Sequence, residues 1–145
     1  MCLNMENLKA KFLVIVQPGF FGSRWLIRDM FVQEGFEIVS FKTTKFSEKV
    51  AKMFYGHKRD KKYYQELVDY MTSGPVYTIV FRGDIDAARD FVGFTDPAEC
   101  QPWQLRAKDF GPTDVMRNIV HCSDSLESAE REIALIEYLP ELDAA

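Results

Sequence analysis

Apolar residues in this chain occur in short runs that are separated by glycine, proline and charged positions. Residues 12–16 are continuously apolar and rich in β-branched side chains, which predicts a strand buried on both faces. Residues 76–81 predict a second apolar strand, and residues 36–45 alternate between apolar and polar well enough to predict a third. Residues 116–120 complete a set of four predicted strands.

Helical spacing is found between these strands. Ser23 is expected to cap a helix that runs to about residue 34 and ends at Gly35. Residues 47–55 predict a second helix, and a third starts near Tyr63 and ends before Gly74 and Pro75. A fourth helix is indicated by apolar residues at helical spacing, which are Ile85, Ala88, Phe91 and Val92.

The last helix, near the C-terminus, has a start signal of its own. Asp124 precedes it, and Glu127 stands where a reciprocal capping box would place it. Leu126, Ala129 and Ile133 are expected to form its buried stripe.

The predicted order is strand, helix, strand, two helices, strand, helix, a long loop over residues 95–110, strand and helix. This order fits an α+β fold of the ferredoxin-like type, in which helices cover one face of a four-stranded antiparallel sheet. Loops of that length in compact domains are usually functional. No repeat or interdomain linker interrupts the pattern, so a single domain over residues 1–145 is expected.

Composition and charge narrow the classes of function. The chain has 145 residues, 47% of them hydrophobic and 14% aromatic, which is typical of a globular domain. A net charge of −4 argues against a general nucleic-acid binder, whose surface carries a basic stripe. The chain also lacks the aromatic, glycine-rich basic strand that an RNA-binding sheet of similar topology uses, which argues against that class of protein. Local basic positions fall in one predicted loop: Lys58, Arg59, Lys61 and Lys62.

Cysteines and histidines are too few for a disulfide framework or a histidine-rich metal site. Cys2, Cys100 and Cys122 are an odd, widely spaced set, and the two histidines are His57 and His121. His57 is expected to be a solvated loop residue. No apolar run is long enough to span a bilayer, and no signal-peptide pattern is found, so we expect a cytoplasmic protein.

The stretch over residues 117–133 carries the candidate chemistry. His121 follows a predicted strand and precedes a helix start, where backbone N–H groups favour anions. A histidine in such a place suits a general base, a metal ligand or a covalent phosphate acceptor, and it can also serve structure alone. The local residues leave these four roles open.

The pattern Asn-x-x-His-x-Ser-Asp-Ser, which begins at Asn118, resembles the signature of the nucleoside diphosphate kinase family. Residues 74–76, 93–98 and 105–111 resemble further segments of that family, so the likeness runs from about residue 12 to residue 140. It implies transfer of the γ-phosphate of a nucleoside triphosphate to a nucleoside diphosphate by a ping-pong reaction.

The resemblance also implies roles for individual residues. His121 would be the nucleophile, and Glu132 would orient its imidazole, although a solvated helix charge is the alternative for Glu132. Ser123 would lie beside the histidine, with a hydroxyl at the helix entry as the alternative. Tyr55 matches an active-site tyrosine, and Tyr63 matches an aromatic residue that stacks on the base, with ordinary core packing as the alternative for both.

Nucleotide contacts follow from the same resemblance. Arg89, Thr95 and Arg106 match phosphate contacts, although both arginines could instead be plain surface residues. Asn118 matches the ribose contact. Gln17 stands where the family has the lysine of its Lys-Pro-Asp-Gly motif. Glutamine brings no charge, and a lost transition-state donor can cost about 10²–10³ in rate, so we expect a reduced rate.

The implied partners are nucleoside tri- and diphosphates, with ATP or another triphosphate as donor. Mg²⁺ would arrive with the nucleotide, bound by phosphate oxygens and water, so no protein ligand for a metal is expected. A homo-oligomer, dimer or hexamer, is expected, with no membrane and no specific nucleic acid as partner. The alternative is a catalytically weak or inactive nucleotide-binding or scaffold domain of the same fold.

Overall fold

The computed structural model describes residues 10–142. Cys2 and the N-terminal segment for which the sequence predicts no signal peptide lie outside these residues. The strands are β1 (Lys11–Val16), β2 (Glu37–Thr44), β3 (Val76–Arg82) and β4 (Val120–Cys122). The α-helices are α1 (Arg24–Gln33), α2 (Glu48–Phe54), α3 (Tyr64–Met71), α4 (Ile85–Val92) and α5 (Leu126–Glu137). Short 3₁₀ turns lie at Pro18–Ser23, Gly56–Lys58, Pro97–Glu99 and Leu105–Ala107.

The strands form one four-stranded sheet in the order β2-β3-β1-β4. Every neighbouring pair is antiparallel, and β1 lies between β3 and β4. The predicted α+β class, with a ferredoxin-like antiparallel sheet, is confirmed. β4 is an edge strand that pairs with β1 over three residues. His121 lies opposite Ile15 in this short ladder.

Alternate residues of β1 enter two separate apolar clusters. Phe12, Val14 and Val16 pack with residues of α1 and α4, whereas Leu13 and Ile15 pack with residues of α2, α3 and α5. Helices therefore cover both faces of the sheet, and the expectation of one covered face is wrong. The reason is visible in the sequence, because a continuously apolar central strand has no side that can face water.

Two boundaries near the C-terminus differ from the sequence prediction. The last strand is Val120–Cys122 and not residues 116–120, so His121 lies inside it. Asp124 does not cap the last helix. The cap is Ser125, whose side chain accepts a hydrogen bond from the backbone N–H of Ser128 at 3.1 Å. The capping box with Glu127 is therefore not formed.

The buried stripe of α5 shifts with this cap. Leu126 is 40% exposed, Ile133 is half-buried, and Ala129, Glu132 and Ile136 are buried. A glutamate thus occupies a position that the apolar pattern assigned to the edge of the stripe. None of the helices within residues 10–142 is long and apolar enough to cross a membrane.

Candidate active site

A cavity of about 540 Å³ opens beside β4 and the loop that follows α2. Nine of the ten residues singled out in the sequence line it. They are Gln17, Tyr55, Tyr63, Arg89, Thr95, Arg106, Asn118, His121 and Glu132. The tenth, Ser123, is fully buried behind Glu132.

His121, Glu132 and Ser123 form one hydrogen-bonded unit. Nε2 of His121 lies 2.8 Å from Oε1 of Glu132, and the hydroxyl of Ser123 donates to the same oxygen at 2.8 Å. That hydroxyl in turn accepts from the backbone N–H of Leu13 at 2.9 Å, which ties the unit to β1. One oxygen of the carboxylate is therefore held by both His121 and Ser123, and the serine is itself anchored to β1.

Glu132 is ionised in this setting. Burial alone raises the pKa of the carboxyl, but the charge of His121 and the hydrogen bonds from His121 and Ser123 outweigh it and lower the pKa. An ionised carboxylate only accepts hydrogen bonds, so Nε2 of His121 must be the donor. In the neutral imidazole the ring proton is then held on Nε2, and Nδ1 carries the lone pair.

The imidazole of His121 is held by aromatic packing as well. The ring of Phe54 lies edge-on at 4.9 Å between centroids, and the ring of Tyr55 lies at 6.4 Å. Burial raises the pKa of Tyr55, so its phenol remains protonated. Among residues 10–142, nothing is hydrogen-bonded to Nδ1 of His121, and the ring lines the cavity. Nδ1 is thus a fixed nucleophile candidate.

A γ-turn at Asn118–Val120 leads into the strand of the histidine. The N–H of Val120 donates to the carbonyl of Asn118 at 3.0 Å, and Ile119 between them has φ 81°. A β-branched residue in this region is strained, at a cost of about 1–3 kcal/mol. Gln17 supports the turn, because its N–H donates to the carbonyl of Ile119 at 3.0 Å.

Arg106 clamps the same turn. Its guanidinium donates to the carbonyls of Asn118 at 3.1 Å, Val120 at 2.7 Å and Gly93 at 3.3 Å. Burial and the charge of Arg89 lower its pKa to about 10. Because a guanidinium has five N–H donors, two remain for an anion in the cavity. The arginine is therefore both a structural clamp and a candidate anion contact, and not a surface residue.

Arg89 and Thr95 are less constrained. Arg89 is half-buried and donates to the carbonyl of Cys122 at 3.1 Å, which aims it at the strand of the histidine. Thr95 is exposed at the cavity edge, and only its carbonyl is engaged, by the side chain of Asn118. Tyr63 is half-buried and lines the cavity, so one face of its ring is available for stacking on a ligand.

Gln17 reaches the cavity wall with its amide already engaged. Nε2 donates to the carbonyl of Met116 at 3.0 Å and to Oδ1 of Asn118 at 2.9 Å. Oε1 accepts from the backbone N–H of Asn118 at 3.0 Å and from the hydroxyl of Tyr70 at 3.3 Å. Since an amide has two donor hydrogens, Gln17 retains none for a ligand. Its position holds Asn118 in place.

Ten further lining residues of the cavity were not assigned to the site from the sequence, and three of them are basic: His57, Lys58 and Arg131. His57 is exposed at the rim, as expected for a loop residue. The basic density of residues 58–62, between two candidate tyrosines, was the one sequence signal for Lys58. Arg131 gave no such signal, since an exposed arginine on a helix is ordinary.

The donor set of the cavity suits phosphate and not a protein-bound metal. Within residues 10–142 there is no cluster of three or more His, Cys, Asp or Glu placed to hold a metal ion. Its carboxylates are Glu132, engaged with His121, and Asp124. Cys100 and Cys122 carry free thiols, and burial raises the pKa of Cys122 to about 12, so that thiol is inert.

Fold and cavity together define a ferredoxin-like protein with a pocket lined by basic side chains around a histidine–carboxylate pair. A family model described as nucleoside diphosphate kinase matches residues 11–138. A nucleoside diphosphate kinase of Bacillus cereus is 43% identical over 122 residues, which are 83% of this chain and 79% of that protein. One of Macrococcus caseolyticus is 41% identical over 133 residues, 88% and 87% of the two chains.

Solved structures agree with these relatives. The crystal structure of the Aquifex aeolicus nucleoside diphosphate kinase is similar with a TM-score of 0.81 and 40% identity, over 88% of this chain and 94% of that one. The Halobacterium salinarum enzyme in complex with CDP has a TM-score of 0.76 and 32% identity, over 93% of both chains. This chain belongs to the nucleoside diphosphate kinase family, as its signature indicated.

Proposed function

We propose that this protein transfers the γ-phosphate of a nucleoside triphosphate to a nucleoside diphosphate through a phosphohistidine on His121. The observation that carries the proposal is the 2.8 Å hydrogen bond between Nε2 of His121 and buried Glu132, which leaves Nδ1 free for chemistry on a ring that lines the same cavity as Arg89 and Arg106. Family membership supports the same activity.

Each half-reaction uses the same atoms. In the first, the Nδ1 lone pair of His121 forms a bond to the γ-phosphorus, the bond from that phosphorus to the bridging oxygen breaks, and the diphosphate leaves with the electron pair. In the second, a terminal oxygen of the acceptor diphosphate forms the new bond and the N–P bond breaks. Glu132 holds the Nε2 proton throughout, so positive charge that develops on the ring meets a carboxylate.

The remaining residues bind and orient the substrate in this proposal. Arg89, the two spare N–H groups of Arg106 and the hydroxyl of Thr95 contact phosphate oxygens, where alignment and neutralised charge provide most of the catalysis. The protonated hydroxyl of Tyr55 adds a donor. Mg²⁺ bound to the nucleotide would neutralise phosphate charge, and the cationic cavity leaves its ligands to phosphate oxygens and water.

Tyr63 is the proposed stacking face for the base, and Asn118 the proposed ribose contact. Both amide hydrogens of Asn118 donate to carbonyls, of Thr95 at 3.0 Å and Val115 at 3.2 Å, so its side chain would accept from the ribose through Oδ1. The engaged amide of Gln17 supports a reduced rate. It also favours the second candidate, a domain that binds nucleotide and transfers phosphate slowly or not at all.

The test is covalent labelling of the purified protein with γ-labelled ATP. We expect label that resists base, is lost in acid and is discharged by added diphosphate, as a phosphohistidine requires. His121→Ala should remain unlabelled, and His57→Ala, which changes the other histidine, should label like the wild type. ATP binding without label would favour the second candidate over the first.

We further propose a homo-oligomer, dimer or hexamer, in the cytoplasm. The outer strand β2 supports self-association, because Phe41 and Val39 on this strand are 60% and 37% exposed. Trp25 on α1, 43% exposed, continues this apolar surface through its contact with Tyr77. Sedimentation of the wild type and Phe41→Glu checks the proposal: loss of the oligomer in the variant supports it, and a monomeric wild type refutes it.

A further inference from the structure

Lys58 is turned into the cavity, unlike its neighbours in the same loop. It ends the 3₁₀ turn Gly56–Lys58, lines the cavity and is half-buried. Its ammonium nitrogen lies 5.9 Å from the centroid of the Tyr63 ring, within cation–π range. Lys61 and Lys62, only a few residues further on, are exposed and do not line the cavity.

The surroundings of Lys58 are cationic. Burial lowers the pKa of Lys58, and the charges of Arg106, Lys61 and Arg89 lower it further. Within the described part of the chain, its ammonium pairs with no carboxylate. Like charges gathered in a half-enclosed cavity repel each other unless an anion neutralises them.

Two other lining residues, Gln17 and Arg106, have few donors left for a phosphate, so an additional cation in the cavity matters. Gln17 has no charge, and both of its amide hydrogens are donated within the protein. Arg106 spends three donors on backbone carbonyls. Direct contacts to a highly charged phosphate chain therefore fall to few groups. Lys58 is a cation on this cavity whose ammonium, within residues 10–142, has neither a hydrogen-bond acceptor nor a carboxylate as partner.

We propose that Lys58 contacts the phosphates of the bound nucleotide and supplies part of the positive charge that Gln17 does not bring. The inference rests on the proposed function only as far as nucleotide binding, and it does not require that phosphate be transferred. It assigns a binding role to a residue of the loop between Tyr55 and Tyr63.

The experiment is calorimetric titration of the full chain with ADP in magnesium-containing buffer at several salt concentrations. Lys58→Met keeps the apolar stem beside Tyr63 and removes the charge, whereas Lys58→Arg keeps the charge. Lys62→Met is the matched control from the same loop. We expect Lys58→Met to bind ADP about tenfold more weakly and with a smaller salt dependence, and both other variants to bind within about twofold of wild type.

Three results would overturn the proposal: equal ADP affinity of Lys58→Met and wild type, equal losses in Lys58→Met and Lys58→Arg, or no ADP binding by the wild type. The last would remove the proposed function as well. Lys58-dependent ADP binding in a protein whose His121 takes no label would uphold this inference while the proposed function failed. A thermal melt of Lys58→Met that matches wild type shows that its folding is intact.

Discussion

Gln17 and Asn118 are joined by a reciprocal pair of hydrogen bonds. The side-chain amide of Gln17 donates to Oδ1 of Asn118 at 2.9 Å, and its carbonyl oxygen accepts from the backbone N–H of Asn118 at 3.0 Å. The pair connects the end of β1 to the γ-turn that precedes His121. The uncharged Gln17 therefore has a structural role, which is to hold the γ-turn that leads to His121.

Gln17→Ala should destabilise the protein by about 1–3 kcal/mol, because it leaves buried groups of Asn118 and Met116 without partners. Urea denaturation measures the free energy of unfolding. Gln65→Ala is the matched control, since the amide of Gln65 bonds only to Asp69 on the surface, and its effect should stay within about 0.5 kcal/mol. Equal stability of both variants would contradict a structural task for Gln17.

Glu132 gives the protein a stability that depends on pH. The folded state lowers the pKa of this carboxyl below its ordinary value of 4.5, because the contacts with His121 and Ser123 outweigh the effect of burial. The unfolded chain then binds a proton more readily than the folded one. The stabilisation is therefore complete well above pH 4.5 and is lost as pH falls through the lower, folded-state pKa.

The check compares urea unfolding of wild type and Glu132→Gln from neutral pH down to about pH 3. We expect the wild type to lose more stability than the variant over the acid end of this range, since glutamine cannot titrate. Glu130→Gln, an exposed change on the same helix, should follow the wild-type profile. Parallel profiles for wild type and Glu132→Gln would refute the assignment of an ionised, stabilising carboxylate.

The ferredoxin-like sheet and the candidate nucleophile could be predicted from the sequence for different reasons. Apolar runs and helical spacing are local, so the order of strands and helices along the chain was predicted correctly even though the cap is Ser125 and not Asp124. His121 was found by the spacing of a motif. Hydrogen bonds from Gln17 to Asn118 bridge 101 positions, and no local pattern encodes them.

The remaining misses have the same physical origin. β4 begins at Val120 because that is where the chain meets β1, a matter of tertiary pairing and not of apolar content. Arg106 is buried because backbone carbonyls of a turn accept hydrogen bonds from its guanidinium. The residues next to Arg106 in the sequence do not indicate this burial. Lys58 lies in a loop, where side-chain direction follows no period.

The strained turn at Ile119 allows a prediction of unusual sign. Ile119 is fully buried, so Ile119→Ala should cost about 2–4 kcal/mol of stability. Glycine normally costs about 0.5–1 kcal/mol relative to alanine, but at φ 81° it relieves the strain that alanine keeps. We therefore expect Ile119→Gly to be no less stable than Ile119→Ala.

Ile79 supplies the contrast, because it is also fully buried but lies in the regular strand β3. There the glycine variant should be less stable than the alanine variant. Urea denaturation of the four proteins gives both differences. The same ranking at both positions would mean that the γ-turn of the folded protein does not hold Ile119 in a strained conformation.

Arg106 and Arg89 provide the last prediction, which separates a clamp from a simple cation. Lysine keeps the charge of either residue but loses the planar fork of donors. Arg106 donates to three backbone carbonyls and Arg89 to one, so Arg106→Lys should lose about 1.5–3 kcal/mol of stability and Arg89→Lys under about 1 kcal/mol.

The two variants should also differ in how ADP binding fails. Arg106→Lys loosens the turn before His121, so we expect weaker binding together with a lower unfolding midpoint. Arg89→Lys should weaken ADP binding while the midpoint stays near wild type, because its main task in the proposed site is the phosphate. Calorimetric titration and thermal melts of the same samples measure both. If Arg89→Lys proved the less stable protein, the clamp would have been assigned to the wrong arginine.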